Sequence, residues 1–405
     1  MQIDIQGWIK NKKDFFFRDK KKLCRIFQHL NQNKAKEFSF LKNINHKNYT
    51  INIKKINRLF SNKQKIFLIG TGGSSLGAKA LLDVEYNKRI TFIENIDPNY
   101  IKDKIYDVPV NNLGFIIISK SGETIEVLSI LSILENYFSK LKLNQNSIII
   151  TENRNSTLFR FAKSRNIQIF NHDPNIGGRY SCFSITGLIP CEISGLNAKR
   201  IKKIASNTYD NLLNIEKEYN KENILSLIEF VNNQKISGHV FLCYLESFKS
   251  LMLWYRQLWA ESIGKKGKGI HLMPALGSVD QHSQLQLWLE GRRDLIFTVV
   301  VPKKRENDYK ILDSSSILPD YLKKNTAGEV LNKMCNATVL ELNKLNIPVR
   351  VIYLDDDSLK SAVKLMATLM MEVAILCRSL DINPFDQPAV ENVKITTKKM
   401  LSNNV

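Results

Sequence analysis

From residue 65 onward the chain repeats one pattern, a short apolar run closed by small or polar residues and followed by a helical stretch. Residues 65–70 (KIFLIG) predict a strand, 71–77 (TGGSSLG) a glycine-rich turn and 78–84 a helix. Further strands are predicted at 90–94, 114–119 and 147–151, with a turn at 120–123 and a long amphipathic helix to about Tyr137. Runs that are apolar throughout, rather than alternating, suit a parallel sheet covered by helices on both faces. A second alternation follows: helix 221–233, strand 239–244, helix 247–263, strands 295–301 and 349–354, and helix 358–380. The expected fold is therefore α/β, with two doubly wound, flavodoxin-like domains over residues 49–195 and 196–382, joined near 195–203. Residues 1–48, polar and lysine-rich with aromatic insertions such as Phe15 to Phe17, are expected to form an N-terminal helical arm, and 383–405 a C-terminal helical tail.

Composition narrows the classes. With 405 residues, 43% hydrophobic and 24% charged, the chain can bury a large core, and disorder is excluded as its main state. No stretch reaches the roughly 18 uninterrupted apolar residues of a membrane span, and no secretory signal pattern opens the chain, so a cytoplasmic protein is expected. Lysine and arginine number 59 against 39 acidic residues, a formal charge of +20. The excess is scattered in short clusters (Lys10, Lys12 and Lys13; Lys20 to Lys22; Lys34 and Lys36) amid heavy asparagine and isoleucine use. That favours a basic, solvated surface over a nucleic-acid groove, so neither nucleic acid nor membrane is an expected partner. The cysteines (Cys24, Cys182, Cys191, Cys243, Cys335 and Cys377) form no CxxC pair and no zinc-ligand spacing. They read as reduced core thiols, and no metal is expected.

Six segments can carry chemistry. Ser119, Lys120, Ser121, Gly122, Glu123 and Thr124 lie after a strand and before a helix, where hydroxyls and first-turn N–H groups can converge on an anion. N-capping by Ser121 or Thr124 would use the same residues, but three hydroxyls and a lysine exceed what a cap needs. The 70–77 turn matches neither GxGxxG nor a P-loop, yet lies at the same sheet edge. Gly177-Gly178-Arg179-Tyr180-Ser181 either brings a guanidinium to a small ligand or is a surface turn. Gln257 and Glu261, four apart, share one face of an otherwise apolar helix, where the carboxylate is either a base or a solvated helix end. His282, in VDQHSQ, is a structural or a catalytic histidine. Gln387 and Lys394, seven apart, face the same way at the start of the last helix.

In this order, IGTGGSSLGAKAL, ISKSGETIEVL, GGRYS, ESIGKKGKG, DQHSQLQLWLEG and DQPAVENVK resemble the phosphoglucose isomerase family, built from two sugar-isomerase domains, over residues from about Phe67 to Lys394. The resemblance implies reversible conversion of glucose 6-phosphate to fructose 6-phosphate through a cis-enediolate, without a cofactor. It places Gly73, Ser74, Ser119, Lys120, Ser121 and Thr124 around the sugar phosphate, with Gly178 and Arg179 at the reacting carbons. Glu261 would be the base, Gln257 its neighbour, His282 the ring-opening histidine, and Gln387 and Lys394 the C-terminal pair. Ile263 stands where the family has asparagine, which puts the hydrogen bonding beside the base in question. It also implies a homodimer whose site is shared, His282 completing the partner's centre. The competing expectation is a sugar-phosphate-sensing regulator, which would need the phosphate loop alone.

Overall fold

In a computed structural model the chain is described at residues 1–8, 21–29, 38–41, 53–105, 112–138, 143–212, 218–312 and 318–403. Most of the expected N-terminal arm, including Phe15 to Phe17, lies outside them.

Two five-stranded sheets organise the chain. The first contains β2 (Lys65–Ile69), β3 (Ile90–Ile93), β4 (Leu113–Ile118), β5 (Ser147–Thr151) and β6 (Gln168–Asn171) in the order β3-β2-β4-β5-β6, all parallel. Every residue of β4 and β5 is buried, which is why these strands read as continuous apolar runs. The order reverses between β2 and β4. At that switch point a doubly wound sheet opens a crevice beyond its strand ends, and the two loops bordering it are the glycine-rich turn and the 119–124 loop.

The second sheet holds β7 (Gly238–Cys243), β8 (His271–Leu276), β9 (Leu295–Pro302) and β10 (Val349–Leu354), parallel, in the order β10-β9-β7-β8. Its outer position is taken by β1 (Gln2–Asp4), which pairs antiparallel with β10. The first residues are thus a strand where a helical arm was expected, while the described residues 21–29 of that arm are helical. Gln2-Ile3-Asp4 alternates, and burying Ile3 alone satisfies an edge strand at the cost of very little apolar sequence.

Between the sheets the Leu359–Ser379 helix is buried on nearly all sides, and it packs against the Ala198–Leu212 and Lys249–Ile263 helices. Its charged ends, Lys360, Lys364 and Arg378, reach solvent, whereas its middle is apolar on every side but one and has no solvent face to keep. Its one acidic residue, Glu372, is paired with the buried Arg350 at 3.1 Å, and the Asn223 amide donates to the same carboxylate at 2.6 Å. Among the described residues no helix is long and apolar enough to cross a membrane.

Candidate active site

The Lys249–Ile263 helix buries Leu251, Trp254, Tyr255, Leu258 and Trp259 and so turns Gln257 and Glu261 toward the first sheet's switch point. The Gln257 amide donates to Glu261 Oε1 at 2.9 Å, and the glycine-rich turn lies directly over Gln257. A methyl group on Gly73 would sit 2.2 Å from the Gly178 carbonyl carbon, so the two turns meet backbone to backbone and no side chain fits between them. Ser181 Oγ reaches both, donating toward the carbonyls of Gly178 at 2.7 Å and Gly73 at 3.2 Å. Ser74, half-buried, ends the short helical turn Gly72–Ser74 at this junction.

That meeting delivers Arg179, whose side chain is 1% exposed, to the Glu261 carboxylate at 3.2 Å, while Glu261 keeps 26% of its own surface open. The guanidinium also donates to Ser262 Oγ at 3.0 Å, to Gln387 Oε1 at 2.8 Å, and to the carbonyls of Pro384 and Asp386. Every one of its nitrogens is engaged, so it presents a fixed, largely desolvated positive charge beside the Glu261 carboxylate. Ile263 is buried, and the polar contact beside Glu261 is made by Ser262, which Arg179 and Tyr180 both meet, Tyr180 at 3.1 Å. The departure from the family's asparagine therefore leaves the Arg179–Glu261 pairing intact.

The 119–124 loop has the geometry of an anion cradle. Thr124 precedes the Ile125–Tyr137 helix but makes no side-chain cap; its hydroxyl instead meets Ser119 Oγ at 2.8 Å. Ser119 Oγ accepts the Gly122 N–H at 3.0 Å, and Ser121 Oγ the Glu123 N–H at 3.2 Å. Capping, the bland alternative for these hydroxyls, is thus not their use, and the first-turn N–H groups remain for a ligand. Gly122 has φ +66°, a left-handed conformation packed so close to Ser156 that a side chain could not enter. Glu123 braces the loop by accepting Thr157 N–H at 2.7 Å and its hydroxyl at 2.9 Å. The Lys120 ammonium points away, donating to the Pro174 carbonyl at 2.7 Å, and burial lowers its pKa despite Glu152 nearby.

Beside that lysine, burial pulls the His172 imidazole down to about 4, against an ordinary value of 6.5. Between those pH values the unfolded chain binds a proton that the folded chain refuses, so stability falls as pH drops through the window and the loss levels off below about 4. In urea unfolding, the advantage of wild type over His172→Gln is expected to shrink by about 2–3 kcal/mol between pH 7 and pH 4.5. Parallel pH profiles for the two proteins would contradict this.

Arg179, Gln257, Glu261 and Gln387 thus gather into one hydrogen-bonded cluster, with Gly73, Ser74 and Gly178 at its edge. His282 and Lys394 do not join it. His282 is exposed on a loop that its neighbours anchor firmly: Asp280 Oδ2 accepts the Leu276 N–H at 2.6 Å, and the Gln281 amide donates to the Tyr244 hydroxyl at 2.9 Å. Lys394 pairs with Glu391 at 2.6 Å on the exposed face of the Pro388–Asn403 helix. Ser262, Tyr180 and the Pro384 and Asp386 carbonyls were not foreseen. Ser262 adjoins Glu261 in sequence, but nothing in the sequence says that a carbonyl points inward.

Residues 31–295 match the family model described as phosphoglucose isomerase. A probable glucose-6-phosphate isomerase of Methanococcus maripaludis is 30% identical over 404 residues, covering 95% of this chain and 88% of that protein. The glucose-6-phosphate isomerase of Campylobacter jejuni is 31% identical over 84% of this chain and 86% of its own. Among solved structures, a hypothetical protein of Thermus thermophilus superposes with a TM-score of 0.88 at 25% identity, covering 99% of this chain and all of that one. A glucose-6-phosphate isomerase of Chlamydia trachomatis superposes at 0.74 with 19% identity over 98% of this chain and 77% of that one, a likeness of fold.

Proposed function

The chain belongs to the phosphoglucose isomerase family and interconverts glucose 6-phosphate and fructose 6-phosphate, a step of glycolysis; from that premise we propose which of its residues do the work. The observation that carries the assignment is the Arg179–Glu261–Gln257–Gln387 cluster, a carboxylate with an open face held against a buried cation.

Isomerisation moves one hydrogen between C1 and C2 and passes through an enediolate. Glu261 takes the proton from one carbon and returns it to the other, since both lie on one face of a cis-enediol. Gln257 orients the carboxylate and Arg179 lowers the energy of the negative charge that develops on O1 and O2. Gln387 sits where it can hold a sugar hydroxyl and the guanidinium together. The phosphate rests in the 119–124 loop at the head of the Ile125–Tyr137 helix, and its binding energy holds C1 and C2 in place. The ring opens with help from His282 and Lys394. Within one chain neither touches the cluster, and the exposed, anchored imidazole supports delivery of His282 to the site of a second copy, so the working unit is a homodimer in the cytoplasm. A regulator that only binds sugar phosphate would have no use for the Glu261 cluster.

The purified protein assayed with fructose 6-phosphate in the presence of EDTA, with glucose 6-phosphate formation coupled to a dehydrogenase, tests the reading; binding without turnover would support the regulator instead. For the phosphate site, Ser121→Ala with Thr124→Ala is expected to raise KM for fructose 6-phosphate by about tenfold or more while kcat changes far less, because each hydroxyl bonds a charged group. An unchanged KM would remove the phosphate from this loop.

A further inference from the structure

Between the Leu359–Ser379 and Pro388–Asn403 helices runs a turn, residues 380–387, with no regular secondary structure. Yet it supplies three of the groups that fix Arg179: the Pro384 and Asp386 carbonyls and the Gln387 side chain. An irregular turn does not hold three acceptors in register by itself. The restraint comes from the segment directly after the base, Lys265 to Lys268. Lys268 donates to the Leu380 carbonyl at 2.9 Å, Lys266 to that of Asp381 at 3.1 Å, and Lys265 to that of Asn383. Lys265 does more, because its ammonium also meets Asp386 Oδ1 at 2.9 Å, one residue before Gln387. Its side chain is only 11% exposed, so the charge is held in place rather than waving in solvent. Burial pushes the Asp386 carboxyl up, but the Lys265 hydrogen bond and charge, with hydrogen bonds from Asn383 and the residue's own backbone, outweigh it and the pKa falls.

We propose that Lys265 is a positioning residue for the isomerisation, clamping the 383–387 turn so that Gln387 and the Pro384 and Asp386 carbonyls lock the Arg179 guanidinium against Glu261. The inference rests on the reading of Arg179, Glu261 and Gln387 as the reacting centre. It gives the lysine-rich stretch ESIGKKGKG a use: one short segment carries the base at its head and, four residues on, the clamp that aligns the base's cationic partner. A lysine suits the task because its three donors can serve a carbonyl and a carboxylate at once.

The test is steady-state kinetics with fructose 6-phosphate on Lys265→Met, Gln387→Ala and the double variant. A displaced reacting group typically costs up to about 100-fold, so Lys265→Met is expected to lower kcat by about 10- to 100-fold, with KM within about threefold. In the Gln387→Ala background the same change is expected to cost several-fold less than in the wild type, since one of the three acceptors it positions is gone while the Pro384 and Asp386 carbonyls remain. A general loss of folding would strike both backgrounds equally, so full additivity overturns the proposal, as does a Lys265→Met enzyme with wild-type kcat. Should Lys265→Met not fold, Asp386→Ala removes the other end of the clamp from a half-exposed position and leaves the carbonyl that Arg179 uses. It is expected to lower kcat about tenfold with the same non-additivity, and wild-type kcat there overturns the proposal. If Gln387→Ala itself keeps full activity, the assignment of Gln387 falls, an outcome distinct from a silent Lys265.

Discussion

Glu261→Gln is expected to lower kcat by about 10²- to 10⁴-fold, the usual contribution of a positioned general base, while fructose 6-phosphate still binds. The amide has the shape of the carboxylate and can still accept from Arg179, but it does not take a proton from carbon at neutral pH. The phosphate loop is built from other elements and is untouched, so isothermal titration should give a Kd close to that of wild type. Retention of more than about a tenth of wild-type turnover would be too much for loss of a general base and would reject the assignment. A large loss of binding would mean instead that Glu261 holds the ground-state sugar.

Mixing two dead variants is expected to restore activity. Glu261→Gln and His282→Ala chains are each inactive as homodimers if His282 completes the partner's site. After subunit exchange, a heterodimer has one site with both defects and one with neither. Random pairing makes about half the dimers mixed, and half of their sites are intact, so activity recovers to about a quarter of wild type. The exposed imidazole at the end of the Val279–Gln281 turn, away from Glu261's hydrogen-bonded cluster, is what the shared arrangement requires. If both residues served a site in one chain, every site in the mixture would carry a defect. No recovery despite demonstrated exchange would then refute sharing.

Much of the fold was legible because parallel strands buried on both faces leave a strong signal. The runs KIFLI, LGFIII, SIIIT, GHVFLC and VRVIYL are almost uninterrupted, and each is a strand. The strands that escaped are of another kind. β6 is only four residues, half-exposed at the sheet edge, and β8 carries Pro274 in HLMPAL, tolerated because β8 is also an edge. β1 has one fully buried side chain and lies where a polar arm was expected. At the site, Gln257 and Glu261 were legible from helical spacing on an apolar helix, and the 119–124 hydroxyls from their place after a strand. The acceptors around Arg179 were not, since main-chain carbonyls of a turn have no residue type to betray them. His282 and Lys394 were named by resemblance alone, and within the single chain both lie on its surface, away from the Glu261 cluster.

Glu261 is expected to carry the hydrogen between C1 and C2. The most direct test follows the C1 hydrogen of fructose 6-phosphate by NMR in heavy water, with wild-type and Glu261→Gln protein at concentrations that saturate the sugar. The wild type is expected to exchange one C1 hydrogen into solvent while forming glucose 6-phosphate, and the variant to bind the sugar yet lose exchange and turnover together. A Glu261→Gln enzyme that still washes the C1 hydrogen into solvent at the wild-type rate would contradict the account.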